Sequence, residues 1–324
     1  MDDRDLLVVE KLKKYFPVGR GFFKKASDQV RAVEDVDLVV KRGETVGLVG
    51  ESGCGKTTLG RCILRLEEPT EGKVYFENMD ILSYDRKTLR QLRRNMQIIF
   101  QDPYSSLNPR KTVGQIIGEG FLVHRMFPKK ESIERVKQLM HTVGLLPEQI
   151  NRYPHEFSGG QRQRISIARA LSLQPKLIIA DEPVSSLDVS IQAQILNLLV
   201  ELQRKFGLTY VFISHGLSVV RHLSDRVAVM YLGRIVELAS SRSLFSHPLH
   251  PYTEALMSAV PQTNPLKKKE RILLQGDVPS SIHPPPGCSF HPRCRYRQAI
   301  CKETVPELEE IEENHRVRCY FPRV

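Results

Sequence analysis

The 324-residue sequence predicts an α/β fold built around a phosphate-binding loop. A short apolar run at 45–49, typical of a buried strand, leads into a glycine-rich loop and then into a helical stretch at 59–66. A second apolar run at 177–180 ends in two carboxylates, at the end of a strand where α/β sheets bind ligands. These patterns indicate strands and helices arranged around a nucleotide site.

The composition limits the classes of protein that fit the chain. The net charge is +11 and the isoelectric point is near 9.4, but the basic residues form scattered clusters, at 11–14, 24–25 and 267–269, without interleaved aromatics. This favours solvated faces and a phosphate site, so no nucleic-acid partner is predicted. No apolar run approaches the length that crosses a bilayer, and the acidic N-terminus lacks the layout of a signal peptide. We expect a cytosolic protein that a partner can hold at a membrane.

Two stretches before the loop predict strands. Residues 6–9 and 30–40 are rich in Val and Leu, and a loop containing Gly, Lys and Phe separates them. Tyr15 and Phe16 stand at the end of the first strand. An aromatic side chain there could stack on an adenine or belong to the core, and the residues alone leave both readings open.

The glycine-rich loop fits the G-x-x-x-x-G-K-[ST] pattern in the required strand–loop–helix context. Its glycines lack a Cβ, so the backbone can adopt unusual dihedrals and bring its N–H groups onto phosphate oxygens. Lys56 would supply a full charge to the β- and γ-phosphates, the Thr57 hydroxyl would bind Mg²⁺, and Thr58 would donate on the α-phosphate side. The predicted nucleotide-binding residues are Gly50, Ser52, Gly53, Cys54, Gly55, Lys56, Thr57 and Thr58.

A helical insertion is predicted between the strands that follow. Strand-like residues 73–76, a charged helical stretch at 86–94 and the apolar run 96–100 lead to Gln101, which could reach a metal ion or a water molecule. Turn residues fill 102–111. The apolar side chains at 133, 136, 140 and 143 then recur at helical spacing, and Gly144 is placed to end that helix.

Two further motifs follow the insertion. Ser158, Gly159 and Gly160 open a helix, an arrangement that can bind an anion or simply cap the helix. Asp181 suits Mg²⁺ and Glu182 suits a base that polarises water, although apolar strands that end in acidic residues are common.

The last predicted strands complete the α/β pattern. Asp188 is a candidate N-cap for a helix whose apolar face is 191, 195, 198 and 202. The apolar strand 208–213 ends at His215, which is either structural or placed to donate to a γ-phosphate. Residues 226–237 predict a hairpin that turns near 232–233.

Taken together, these motifs resemble those of ABC-transporter ATPases, in the family's order and over essentially the whole chain. The markers are the loop ending Lys56-Thr57, Gln101 as the glutamine loop, the signature Ser158-Gly159-Gly160-Gln161, the pair Asp181-Glu182, the run Ser186-Leu187-Asp188, and His215. Phe157 precedes the signature where many members have Leu, a mild departure. The resemblance implies a P-loop NTPase core of ABC type with an antiparallel β subdomain and a helical subdomain at about 102–172, all within an ATPase domain at 1–245.

The resemblance also implies a mechanism. Two ATPase subunits of this family associate head to tail, so that each ATP lies between one subunit's phosphate loop and the other's signature. Glu182 would be the general base, and His215 and Gln101 would position the γ-phosphate and the water, with Gln101 also at Mg²⁺. Phe16 becomes the adenine-stacking aromatic, with Tyr15 as the alternative. The residues implied at the subunit junction are Ser158, Gly159, Gly160, Gln161 and Asp188.

The composition changes after residue 245, in a segment that holds more than half of the prolines and four of the 6 cysteines. This tail, 246–324, resembles the C-terminal extension of the ATPases of oligopeptide and dipeptide importers. The run 101–109 and the signature context 161–164 look most like the second of the two paired ATPases of such importers. The implied partners are a related ATPase, with a homodimer possible in isolation, two membrane-spanning permease subunits and, indirectly, an extracytoplasmic peptide-binding protein.

The tail cysteines predict a metal site. Cytosolic disulfides are improbable, and the close C-x-x-C pair usual for zinc is missing, yet on geometry four thiolates hold zinc or an iron–sulfur cluster equally well. The resemblance implies a [4Fe-4S] cluster with a structural role, because some members of the importer family carry one here; zinc and unligated thiols are the alternatives. The predicted ligands are Cys288, Cys294, Cys301 and Cys319.

The predicted function is ATP hydrolysis that powers peptide import from the cytoplasmic face of the cell membrane. A soluble ABC ATPase acting on nucleic acid or ribosomes is the rival, since the basic charge permits it. Such proteins usually carry tandem cassettes or an inserted coiled coil, and the sequence has neither. The sequence does not name the transported solute.

Overall fold

The fold is known from a computed structural model, which describes residues 2, 4–18, 28–260 and 271–323. The basic clusters at 24–25 and 267–269 lie outside these residues. Within them the strands are β1 (Asp5–Pro17), β2 (Gln29–Lys41), β3 (Thr45–Val49), β4 (Glu71–Phe76), β5 (Met79–Asp80), β6 (Met96–Ile99), β7 (Leu177–Asp181), β8 (Thr209–Ile213), β9 (Arg226–Tyr231), β10 (Arg234–Ser240), β11 (Glu309–Glu312) and β12 (His315–Val317).

The α-helices lie between these strands along the chain, singly or in groups. They are α1 (Lys56–Ile63), α2 (Arg86–Leu92), α3 (Pro103–Ser106), α4 (Val113–Val123), α5 (Lys129–Thr142), α6 (Gly159–Leu171), α7 (Val189–Phe206), α8 (Leu217–Leu223), α9 (Ser241–Ser246), α10 (Pro251–Ser258) and α11 (Ile300–Glu303). Across the described ranges, no helix combines the length and apolar character needed to cross a membrane.

The chain divides into two compact units. One consists of Met1–Val40, Thr45–Leu82 and Ser214–Val324, and the other of Lys41–Glu44 and Ser83–Ile213. The predicted division at residue 245 into an ATPase domain and a tail stays a prediction.

The first unit contains two sheets. Strands pair in the order β2-β1-β4-β5 in one sheet, where β4 runs antiparallel to both β1 and β5. In the other, β11, β12, β10 and β9 pair antiparallel in that order, and β9 pairs parallel with β3. The hairpin predicted at 226–237 is confirmed by β9 and β10. All five residues of β3 are buried, and a Cβ on Gly47 would lie 2.4 Å from Val220 Cγ1, so that α8 packs closely on β3 at this glycine.

The second unit consists of a parallel three-stranded sheet, in the order β6-β7-β8, and the helices α2 to α7. The helix predicted from the spacing of the apolar residues 133–143 is confirmed as α5, and Gly144 follows it with φ of +74°. Thr112 begins α4 with a capping box in which its side chain and that of Gln115 bond each other's backbone N–H.

A buried carboxylate organises the segment that follows β10. Glu237 is fully buried, and its carboxylate accepts hydrogen bonds from the backbone N–H groups of Leu249, at 2.7 Å, and His250, at 2.9 Å. The Nε2 atom of His315, on β12, lies 2.7 Å from the same carboxylate. The Glu237 side chain on β10 therefore holds in place both the start of α10 and the neighbouring strand β12.

We expect Glu237→Ala to lower the free energy of unfolding by about 3–5 kcal/mol, because it leaves two buried N–H groups and a buried imidazole without their acceptor. Urea denaturation followed by circular dichroism measures the change. Glu309→Ala, at an exposed position on β11, is the control and should shift the value by less than about 0.5 kcal/mol. Equal effects of the two variants would contradict the role of Glu237.

Candidate nucleotide-binding site

The phosphate loop connects β3 to α1 and depends on glycine at two points. Gly50 has φ of +153° and Gly55 has φ of +106°. A Cβ on Gly50 would lie 2.1 Å from the Met230 carbonyl oxygen, and one on Gly55 would lie 1.9 Å from the Ala32 carbonyl oxygen. Side chains are therefore excluded at both positions, and the loop backbone lies directly against β9 and β2.

Lys56 is the first residue of α1 and holds the loop in its curled shape. Its side chain is buried, and its ammonium group donates to the carbonyl oxygens of Gly50 and Glu51, both at 2.9 Å. The Thr57 and Thr58 side chains are half-buried at the start of the same helix. The ammonium group and the helix N-terminus thus lie together at one end of α1, the arrangement that binds phosphate.

Cys54 lies inside the loop as a neutral thiol. Burial raises the pKa of Cys54, and the nearby ammonium of Lys56, 3.7 Å from its sulfur, opposes that shift only in part. Its side chain therefore fills space beneath the loop, while Ser52 and Gly53 are exposed.

The two candidate aromatic residues differ in what they contact. The Tyr15 hydroxyl donates to the Glu34 carboxylate, 3.0 Å from each oxygen, and burial together with this bond raises the pKa of Tyr15. Phe16 is half-buried, with the Lys14 ammonium 4.7 Å from its ring centroid. Because Tyr15 is committed to Glu34, Phe16 remains the better candidate for stacking on a base.

Three of the predicted residues come together at the end of the parallel sheet in the second unit. Asp181 ends β7 and is buried, and Glu182 follows it with φ of +46°, a strained conformation for a residue with a side chain. The Glu182 N–H donates to the Ile213 carbonyl at 3.0 Å, which holds this backbone in place. Gln101, next after β6 and Phe100, donates from Nε2 to a Glu182 carboxylate oxygen at 3.0 Å.

His215 belongs to the first unit, where its side chain is exposed. The preceding Ser214 is buried, and its hydroxyl accepts a hydrogen bond from the Gly216 N–H at 2.9 Å. This bond closes the turn between His215 and α8.

The Ser-Gly-Gly motif caps α6, as the sequence predicts. The exposed Ser158 hydroxyl accepts from the Gln161 N–H at 3.4 Å, and the Gln161 side chain accepts from the Ser158 N–H at 3.0 Å. A Cβ on Gly160 would lie 2.6 Å from Ile191 Cγ2, so glycine allows α6 to approach α7. Asp188 occupies the predicted N-cap position of α7, but its side chain makes no capping hydrogen bond.

Sequence reasoning missed two residues that contact the phosphate loop. The Tyr252 hydroxyl accepts a hydrogen bond from the Glu51 N–H at 2.9 Å. Arg293 donates two hydrogen bonds to the Glu51 carboxylate, at 2.8 and 3.2 Å. These residues follow Glu51 by 201 and 242 positions, and no local pattern in the sequence marks them.

Four cysteines line one pocket in the first unit: Cys288, Cys294, Cys301 and Cys319. The Phe321 N–H donates to the Cys319 sulfur at 3.4 Å. Burial raises the pKa of Cys288 to about 11 and that of Cys319 to about 12, so these two thiols are neutral at pH 7 when uncoordinated. Among the described residues, no three His, Cys, Asp or Glu side chains are grouped as ligands of a metal ion, and the predicted metal site is not confirmed.

Two family models match the chain. The model described as ABC transporter matches residues 33–185, which contain the phosphate loop, Gln101, the Ser158 motif and Glu182. The model described as Oligopeptide/dipeptide transporter, C-terminal region, matches residues 236–301.

Relatives match over nearly the full length. The oligopeptide transport ATP-binding protein AppF of Bacillus subtilis is 55% identical, covering 98% of this chain and 97% of its own. The dipeptide transport ATP-binding protein DppF of Escherichia coli is 50% identical, covering 94% of this chain and 91% of its own.

Solved structures match most of the chain. The cassette MJ0796, in a dimeric post-hydrolysis state with ADP and Pi, is 29% identical with a TM-score of 0.65, covering 73% of this chain and 99% of its own. The protein cbiO1 of Clostridium perfringens, described as part of the ABC transporter complex cbiONQ, is 30% identical with a TM-score of 0.64, covering 75% of this chain and 91% of its own.

We expect Gly55→Ala to lower the melting temperature far more than Gly53→Ala. Both glycines have positive φ, so both substitutions strain the backbone by about 1 kcal/mol, but only the methyl group at Gly55 meets a carbonyl oxygen at 1.9 Å, whereas nothing lies within 4 Å of one at Gly53. Differential scanning fluorimetry of the two variants measures the difference. Similar melting temperatures would show that the loop backbone does not press on β2.

Proposed function

Because this chain belongs to the family of ATP-binding subunits of oligopeptide and dipeptide ABC transporters, we propose that it binds and hydrolyses ATP to power the import of dipeptides and oligopeptides. The observation that carries the proposal is the phosphate loop, where two glycines without room for a Cβ, the Lys56 ammonium and the N-terminus of α1 form an anion site. Full-length identity of 50–55% to peptide-transport ATPases supports the substrate class.

Binding of ATP follows from the loop. The loop N–H groups and Lys56 hold the β- and γ-phosphates, and Phe16 stacks on the adenine. Thr57, Gln101 and Asp181 would hold Mg²⁺, which would supply positive charge against that of the phosphates.

Hydrolysis relies on Glu182 as general base. The hydrogen bond from Gln101 restrains the Glu182 carboxylate, and the bond from the Glu182 N–H to Ile213 holds its strained backbone. Glu182 accepts the proton of the attacking water, Gln101 orients that water, and His215 donates a hydrogen bond to the γ-phosphate.

A second ATPase subunit completes each site in this proposal. The exposed Ser158 and Gly159 begin α6, and their helix N-terminus is free of acidic residues in its first turn. This end of α6, with Gln161 and the exposed Asp188, contacts ATP held by the phosphate loop of a related, non-identical ATPase. The dimer of MJ0796 with ADP and Pi supports a two-subunit arrangement.

Two permease subunits bind the second unit and place the protein at the cytoplasmic face of the membrane. The supporting observation is a set of large apolar side chains that are exposed from α3 to the start of α6. They are Tyr104, Leu122, Val123, Ile133, Leu146 and Tyr153, and Leu122 is 80% exposed. Exposed apolar side chains mark a protein-binding surface where they form one continuous patch. No comparable observation favours a nucleic-acid partner.

The four-cysteine pocket is proposed to hold a [4Fe-4S] cluster, with zinc as the alternative. A single zinc ion with Zn–S bonds of about 2.3 Å would bring its four thiolates to within about 3.8 Å of one another. A cubane cluster accepts a wider spacing, and the four cysteines that it needs line one pocket. The cluster would supply four covalent links within a segment that has few regular elements, and so a structural role.

We expect Glu182→Gln to retain ATP binding and to lower the turnover number by about 10²–10⁴-fold, because the amide cannot accept the proton of the attacking water. Binding of a fluorescent ATP analogue and phosphate release measure the two properties. Glu201→Gln, the same substitution at an exposed position of α7, is the control and should leave both unchanged. Hydrolysis at the unmutated rate would remove Glu182 from this role.

We expect anaerobically purified protein to contain about four iron and four acid-labile sulfide per chain, with a broad visible absorbance. Cys319→Ser should lose most of this content, since it removes one of four ligands. Cys62→Ala, at a buried cysteine of α1 outside the pocket, should retain it. Stoichiometric zinc, or no metal, would contradict the cluster.

A further inference from the structure

We infer that Arg293 is a positioning residue of the phosphate loop, through which the segment holding the four cysteines sets the affinity for nucleotide. The inference rests on the proposed ATP-binding function and adds a means of regulating the same site.

The N–H, the carbonyl oxygen and the carboxylate of Glu51 all make hydrogen bonds. Its N–H donates to the Tyr252 hydroxyl at 2.9 Å, its carboxylate accepts two hydrogen bonds from Arg293, and its carbonyl oxygen accepts one from the Lys56 ammonium at 2.9 Å. Two of these three partners belong to the segment after β10. That segment is therefore connected through Glu51 to the lysine that binds phosphate.

The ion pair between Arg293 and Glu51 is more restrained than an ion pair on the protein surface. The Arg293 side chain is only 8% exposed and that of Glu51 27%. Their paired hydrogen bonds fix the relative orientation of guanidinium and carboxylate as well as their distance. Exposed ion pairs contribute little, but a bidentate pair whose guanidinium is buried restrains both side chains.

Tyr252 reaches the loop from a packed aromatic cluster. Its ring lies 4.7 Å from that of Tyr231 and 5.4 Å from that of Phe290, and the Tyr231 and Phe290 rings pack edge to face at 5.3 Å. Burial lowers the pKa of His250 to about 4, so its neutral imidazole can accept a hydrogen bond from the Tyr252 N–H at 3.1 Å. The hydroxyl that bonds Glu51 thus has a fixed position.

The same segment connects Arg293 to the cysteine pocket. Arg293 ends a single turn of 3₁₀-helix, His291–Arg293, that lies between Cys288 and Cys294. The Cys288 carbonyl accepts from the His291 N–H at 3.0 Å, and the His291 carbonyl accepts from the Cys294 N–H at 3.3 Å. Any movement of these two cysteines, on binding or losing a ligand, therefore displaces the turn that carries Arg293.

The two ends of this path respond to different chemistry. Lys56 acts on phosphate, whereas the four cysteines are placed to bind a metal or cluster. Loss of the ligand held by the cysteines would loosen Arg293, release Glu51 and weaken nucleotide binding. In this way the affinity for ATP would depend on whether the cysteines of the segment after β10 hold their ligand.

The test measures the Kd of a fluorescent ATP analogue for the full chain. We expect Arg293→Ala to raise the Kd by about tenfold, within the usual range of coupling between sites. Tyr252→Phe, which removes only the hydroxyl, should act in the same direction without disturbing the aromatic packing. Arg295→Ala is the matched control, because it also removes an arginine whose partner, Glu254, lies away from the loop. Its Kd should stay within twofold.

A double-mutant cycle tests the link to the cysteines. Cys294→Ser should also raise the Kd, and the double variant Cys294→Ser/Arg293→Ala should bind no more weakly than Arg293→Ala alone. Unchanged affinity in Arg293→Ala and Tyr252→Phe, or full additivity in the cycle, would overturn the inference while ATP binding by the unmutated chain stands. Failure of the unmutated chain to bind the analogue would overturn the proposed function and the inference with it.

Discussion

The hydrogen bonds from the Lys56 ammonium to the carbonyl oxygens of Gly50 and Glu51 are the interaction on which the first unit depends. They bend the chain back on itself between β3 and α1, so that the loop surrounds the Lys56 ammonium group. This shape is possible only because Gly50 and Gly55 have no Cβ where the loop meets neighbouring carbonyl oxygens. Side chains at either position would push the loop away from β9 and β2.

The second unit collects acidic and amide side chains at one edge of a sheet. Parallel strands end together, so Gln101 and Glu182, which follow the adjacent strands β6 and β7, come within 3.0 Å although 81 residues separate them. The left-handed backbone at Glu182 is unfavourable by about 1–3 kcal/mol, and the bond from its N–H to Ile213 helps to hold it. Backbone strain of this kind is often found at functional sites.

The segment after β10 owes its structure to polar contacts as much as to apolar burial. Glu237, fully buried, accepts from the chain at Leu249 and His250 and contacts His315, and so ties α10 to the sheet. Tyr252 and Arg293 then extend from this anchored segment to Glu51. The Glu237 carboxylate thus holds the beginning of this proline-rich segment, and Glu51 of the phosphate loop holds the segment at Tyr252 and Arg293.

The sequence by itself determined the strand–loop–helix order, the hairpin at 226–237, helix α5 and the motifs that identify the family, because each depends on residue types at short, regular spacing. Only the tertiary structure decided that Tyr15 is committed to Glu34, that Asp188 begins α7 without a side-chain cap, and that four cysteines share one pocket. It alone brought Tyr252 and Arg293 to Glu51, since contacts between residues more than 200 positions apart depend on which elements pack together, and no local pattern of residue types records that.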